Sequence, residues 1–237
     1  MKQGLVEQML QILNQDVSVE PADTPSALWE AYRLRHQVYV VERAYEIGDN
    51  GTEWDEYDNF ARHVIVRWRR TSHVVGTVRL ILPKNSTSCD NFPLQRVCDP
   101  GVLRMLPRAT TGEISRFALA KQMTQQMRSA GVETTSVLRL ALMRGAIFMG
   151  VQLGLTHFIA MMEPTLLHLL RADGIYFHSL GPLVDYHGLR QFVVAALGTM
   201  TERLSMENPA AWNYITDSGA LCPALLSQSH RDLVARS

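Results

Sequence analysis

The chain has 237 residues, enough to bury a full hydrophobic core, and its 23 basic residues balance 23 acidic ones. That balance leaves no overall field favouring nucleic acid or an anionic membrane. Three cysteines without metal-ligand spacing (Cys89, Cys98, Cys222) fit a reduced, cytoplasmic chain, and no uninterrupted apolar run approaches the roughly 18 residues of a transmembrane helix.

Leu5, Met9, Ile12 and Leu13 recur at helical spacing, and Glu7, Gln8 and Gln11 interrupt the run. The N-terminus therefore reads as a short amphipathic helix, not a signal peptide. PADTPSA (21–27) reads as a linker, and residues 28–41 as a helix carrying Leu28, Ala31, Tyr32, Val38 and Tyr39. A polar, irregular stretch follows over 44–60. HVIVRW (63–68) and VVGTVRLIL (74–82) predict a hairpin. Residues 83–109, with four prolines, read as a long loop.

TGEISRFALA (111–120) predicts a central strand, and the polar segment KQMTQQMRSAGVETT after it has no clear pattern. Residues 136–154 predict a long helix, and THFIAMM (156–162) a buried strand. Pro164 opens a helix that Gly174 ends. IYFHSLG and residues 190–197 read as the last strands, before terminal helices or loops. This order predicts an α+β fold, a mixed α/β sandwich around one sheet. The expected organisation is an N-terminal amphipathic helix and linker (1–25), a main domain (26–200) and a C-terminal helical extension (201–237).

GxxxxGK[ST], GxSxG, CxxC and HExxH are all missing. The stretch EWDEYDNFARH (53–63) gathers four acids and a histidine. A calcium loop, a solvated acidic turn and a receptor for a cationic substrate would each use such residues. Calcium-hand spacing fails, because in the run from Asp49 the glycine stands third rather than sixth. His63, His157, His168 and His178 have no ligand spacing and read as satisfied surface or sheet-edge residues.

Charged residues recur around the expected sheet: Arg35, Asp55, Asp58, Arg79, Glu113 and Arg116. Singly, each has a structural explanation; an exposed Glu113–Arg116 pair, for example, is worth under about 1 kcal/mol. GEISRFAL does not keep a strict period of two, however. A β-bulge inside it would bring Glu113 and Arg116 to one side.

RLRHQVYVVE (33–42), EWDEYD (53–58), VVGTVRLILP (74–83) and GEISRFAL (112–119), in this order, resemble the autoinducer-synthase branch of the GNAT-like N-acyltransferases. That branch holds acyl-homoserine-lactone synthases, long-chain N-acyl amino acid synthases and exosortase-associated (PEP-CTERM) acyltransferases. Residues 158–191 are more similar to the second and third groups. Tyr39 and Tyr45 stand where lactone synthases usually carry Phe and Trp.

The resemblance implies a GNAT-like fold whose central mixed sheet splays open, and transfer of an acyl group from a thioester to an amine. The expected main activity is N-acyl amino acid synthesis. The alternatives are a lactone synthase using S-adenosylmethionine and an inactive acyl-chain-binding protein. Glu113 and Arg116 would be catalytic, and Arg35, Asp55, Asp58 and Arg79 would bind the amine substrate. Phe117, Met143, Met161 and Met162 would line an acyl-chain pocket. No tightly bound cofactor is implied. The segment after residue 120 lacks a glycine-rich pyrophosphate loop, which favours an acyl carrier protein over acyl-CoA as the donor. Lys121, Arg128, Arg139 and Arg144 would form its basic docking patch.

Overall fold

The computed structural model describes residues 13, 15–46, 50–84, 92–98, 100–132 and 135–221. The expected N-terminal helix lies almost wholly outside the described residues. In chain order the elements are β1 (Val17–Pro21), α1 (Pro25–Arg35), β2 (Ala61–Trp68), β3 (His73–Ile81), α2 (Pro100–Leu103), β4 (Thr111–Leu119) and α3 (Lys121–Ser129). They continue with α4 (Thr135–Gln152), β5 (His157–Met162), α5 (Pro164–Ala172), β6 (His178–Asp185), β7 (Leu189–Ala196), α6 (Leu197–Glu207) and α7 (Pro209–Thr216). The strand order is β1-β2-β3-β4-β5-β7-β6, and parallel and antiparallel pairs are mixed.

The chain divides into two compact units, Met1–Arg79 with Arg116–Ala146 and Leu80–Ser115 with Ile147–Ser237. In the first, β1 pairs antiparallel with β2, from Val17 opposite Trp68 to Pro21 opposite Val64. Strand β1 and the start of α1 replace the expected linker. Thr24 Oγ1 accepts from Ala27 N at 3.2 Å and Pro25 opens the helix, a start signal that the small polar residues of PADTPSA concealed.

After Arg35 the chain widens into π-helical turns over His36–Glu42, so the expected single helix is two kinds of helix in succession. Ala22, Ala31 and Ile65 are buried together, with Leu28 and Val74 packed on them. Leu34, Val38, Ala118 and Ala120 form a second buried group beside Tyr39. The patternless segment after β4 folds as α3.

In the second unit β5 pairs antiparallel with β7, and β7 with β6. Phe158, Ile159, Phe192, Val193, Leu197, Leu204 and Ile215 are buried there. Each large apolar side chain so removed from water contributes about 1.5–3 kcal/mol. The expected loop 83–109 contains α2 and the short 3₁₀ turns Pro93–Arg96 and Arg108–Thr110. The parallel ladder of β4 and β5 runs only from Thr111 opposite His157 to Ile114 opposite Ala160, although both strands continue past it. The sheet is splayed at that point.

Candidate active site

A tight turn sets the acidic residues. Asp55 Oδ1 accepts from Tyr57 N at 2.9 Å, and Asp58 Oδ2 accepts from Asp55 N at 2.7 Å. These reciprocal bonds cap the 3₁₀ turn Glu56–Phe60.

Three arginines from three elements meet them. Arg35, at the end of α1, donates Nη1 and Nη2 to Asp58 at 2.7 and 3.1 Å, and Nε to Glu53 at 2.6 Å. Arg79, in β3, donates Nη1 to Asp55 at 2.6 Å and to Asp58 at 2.9 Å. Arg116, in β4, donates Nη2 to Glu53 at 2.8 Å, and to Glu46 and Asp55 at 3.1 Å each. The Arg116 guanidinium also stands over the Tyr39 ring, 5.3 Å from its centroid.

The backbone at Arg116 explains the broken alternation in β4. Its φ is +49°, a left-handed conformation unusual for a side chain other than glycine and typical of bulged strands.

Burial alone would push the Glu53 carboxyl up, but its hydrogen bonds from Arg35 and Arg116 outweigh that and hold it down at about 2. Asp58 is likewise lowered against its burial, by the charge and the fork of Arg35 and by Arg79. Burial lowers Arg35 and Arg116, and their carboxylate partners, Glu53 first, more than reverse this. All these groups are charged at neutral pH.

Arg35, Asp58 and Arg79, expected to touch substrate, are sealed from solvent. Arg35 and Arg79 hydrogen-bond Glu53, Asp55 and Asp58 there. The partly open members are Arg116, Asp55 and Glu46, with side-chain exposures of 18, 26 and 28%. Among the described residues, the ion-paired set of Arg35, Arg79 and Arg116 with Glu46, Glu53, Asp55 and Asp58 carries a charge of −1, with Asp55 and Glu46 as its partly open carboxylates. Glu53 and Glu46 are additions to the expected set. The spacing of ExDxxD could have disclosed Glu53, whereas nothing around Glu46 signals its role.

His63 corrects another expectation. It lies inside the first unit at 3% exposure, on β2, and not on a surface or sheet edge. Its ring meets Tyr32 edge-on at 5.7 Å, and Nε2 is 3.4 Å from Asp58 Oδ1. Burial, and then the charge of Arg35, lower its pKa to about 4.

In the second unit Glu113 is buried at 3% exposure, and its Oε2 accepts from Leu94 N at 3.3 Å. Cys98 is a free thiol, 3.6 Å from Met161 Sδ. Burial, and then the Glu113 carboxylate, push that thiol up to about 11, which keeps it protonated.

Met162 is buried in β5 and Met143 is fully buried in α4, while Phe117 is half-buried in β4. The expected basic patch loses Arg139, which is buried beside Ser136; Lys121 and Arg128 are exposed. Among the described residues no cluster suited to a metal ion occurs, and no helix is long and apolar enough to cross a membrane.

Residues 34–131 match the family model described as an acetyltransferase (GNAT) domain. The chain has a GNAT acyltransferase fold. Solved structures with this fold include FeeM, an N-acyl amino acid synthase from uncultured soil microbes. It is 11% identical, with a TM-score of 0.61, covering 80% of this chain and 96% of its own. TofI, solved in a ternary complex with an inhibitor and MTA, is 22% identical with a TM-score of 0.59 over 84% and 97%. BjaI, a CoA-dependent acyl-homoserine lactone synthase solved with SAM and isopentyl-CoA, is 17% identical with a TM-score of 0.58 over 85% and 88%. No curated protein matches the sequence.

Proposed function

We propose that this GNAT-fold protein is an N-acyltransferase that moves an acyl group from a thioester to the amine of a cationic amino acid derivative. The reading that the charge favours is a lactone synthase taking S-adenosylmethionine. The observation that carries it is the carboxylate excess whose open members are Asp55 and Glu46. S-adenosylmethionine carries an ammonium, a sulfonium and a carboxylate, for a net charge of +1. A free neutral amino acid is a zwitterion and gains less from an anionic rim. The solution of BjaI with SAM lends support at the level of fold.

The amine must lose a proton before it attacks the thioester carbonyl. Glu113 is the proposed acceptor of that proton, directly or through water. The C–N bond forms as the C–S bond breaks, and the thiol leaves with a proton. The carboxylate oxygen then closes the lactone by displacing methylthioadenosine. Arg116, bound to Glu53, Asp55 and Glu46, is proposed to hold the rim in place for the acceptor.

The second reading is N-acyl amino acid synthesis. It is favoured by the TM-score of 0.61 with FeeM and by Tyr39 and Tyr45 at positions where lactone synthases usually carry Phe and Trp. The donor in either reading is an acyl thioester, for which we propose acyl carrier protein.

The test is purified protein with acyl carrier protein thioesters or acyl-CoA, each supplied with S-adenosylmethionine or with free amino acids, and product mass as readout. A lactone made only with S-adenosylmethionine supports the first reading, and an acyl amino acid made without it supports the second. Tightly held lipid with no turnover on any pair would overturn both.

A further inference from the structure

His63 stands beside the cluster, and the proposed reaction leaves its chemistry unused. Its ring is buried, and neither nitrogen has a hydrogen-bond partner among the described residues. Buried polar atoms without partners are uncommon and costly, so one held against a charged cluster needs a reason.

The reason lies in how full Asp58 is. Its two oxygens take four bonds: Arg35 Nη1 at 2.7 Å and Arg79 Nη1 at 2.9 Å on Oδ1, Arg35 Nη2 at 3.1 Å and Asp55 N at 2.7 Å on Oδ2. A carboxylate has about four such positions. His63 Nε2 therefore waits 3.4 Å from Oδ1, near enough to bond after a small shift but displaced by donors already in place. The groups around it are Asp58, Asp55, Arg35, Arg79 and Tyr32.

One of the four bonds is shared. Arg79 Nη1 also serves Asp55, at the shorter distance of 2.6 Å, and Asp55 belongs to the partly open rim. An ammonium drawn to Asp55 would pull that carboxylate outward and Arg79 with it, leaving the buried Asp58 one donor short.

We propose that His63 is a positioning residue that supplies this missing donor. When the acceptor engages Asp55, His63 Nε2–H bonds Asp58 Oδ1 in place of Arg79. The cluster can then bind a cation without leaving a buried carboxylate under-bonded. This inference rests on the reading that an amine acceptor binds at Asp55.

The experiment compares wild-type protein, His63→Phe and His63→Gln on the acceptor and donor that give turnover. His63→Phe keeps the ring against Tyr32 and removes both nitrogens, and His63→Gln keeps a side-chain donor. The expected result for His63→Phe is an acceptor KM raised about tenfold, the value of one hydrogen bond to a charged group. Donor KM should stay unchanged, and thermal stability should stay equal or rise. His63→Gln should recover most of the acceptor KM.

An unchanged acceptor KM in a stable His63→Phe overturns the inference, as does a parallel loss of stability and of both KM values without recovery in His63→Gln. A second measurement needs no variant. Nitrogen-15 imidazole shifts of the wild-type protein should show Nε2–H becoming hydrogen-bonded on acceptor addition, and shifts that do not move overturn the inference. Wild-type protein that turns over no amine defeats the underlying reading instead, a result distinct from turnover with an unmoved KM.

Discussion

Arg35 closes both branches of its guanidinium on Asp58, with Nη1 on Oδ1 and Nη2 on Oδ2, and neither side chain meets solvent. Lysine cannot reproduce that planar fork while also serving Glu53. Arg35→Lys should therefore destabilise the protein, and Arg35→Met more so. Removing one partner of a buried pair costs about 3–5 kcal/mol, because the charge left behind stays buried. Denaturant unfolding of the two variants checks the order.

Acid should weaken the fold in two stages. His63 titrates at an ordinary 6.5 when unfolded and at about 4 when folded, so the unfolded chain takes up its proton first. The stability this confers is complete above about pH 6.5 and falls away as pH drops towards 4. It amounts to about 3 kcal/mol, at ~1.4 kcal/mol per pH unit between the two values. Glu53, with an ordinary value of 4.5 and a folded value of about 2, adds its own loss below about pH 4.5. Thermal melts across pH 3–8 should show both stages, and His63→Phe should remove the first alone.

Asp55→Asn and Glu46→Gln should raise KM for a cationic acceptor by about five- to tenfold each, the size of a partly open charge contact. The loss should shrink in high salt, which already screens the wild-type rim. A neutral amine should be affected less. Steady-state kinetics at two ionic strengths separates these outcomes.

Glu113→Gln should lower kcat about 10²-fold or more if Glu113 takes the amine proton, the usual contribution of a general base. The fold should persist, since a glutamine oxygen can still accept from Leu94 N. Single-turnover rates alongside a melting curve test both halves of this statement.

Gly145, inside α4, is predicted to resist a change that helix propensity alone would favour. A Cβ there would sit 2.6 Å from Val64 Cγ1. Gly145→Ala should cost about 1–3 kcal/mol despite the roughly 1 kcal/mol that alanine gains in a helix. Adding Val64→Ala should recover part of the loss, and unfolding of the single and double variants measures the coupling.

Much of this was legible in the sequence, for identifiable reasons. HVIVRW and VVGTVRLIL declare β2 and β3 because their apolar residues are local and repetitive. The faltering alternation of GEISRFAL pointed to the irregular backbone found at Arg116. What escaped depends on distant partners. Arg116 meets Glu53 across 63 positions and Glu46 across 70, and no local pattern announces either contact. VSVEP looked like part of a tail because its strand character comes from β2 alongside it. His63 looked ordinary because its burial is decided by α1, which brings Tyr32 against it.

The left-handed turn of the backbone at Arg116 has a practical consequence for anyone redesigning the protein. Glycine would relieve the backbone there, yet it would leave the buried Glu53 without one of its two guanidinium partners and so cost stability as well. That choice would strip the guanidinium from Glu46, Glu53 and Asp55 at once. At position 116 backbone ease and charge pairing call for different amino acids, and a library built on backbone preference alone should leave it untouched.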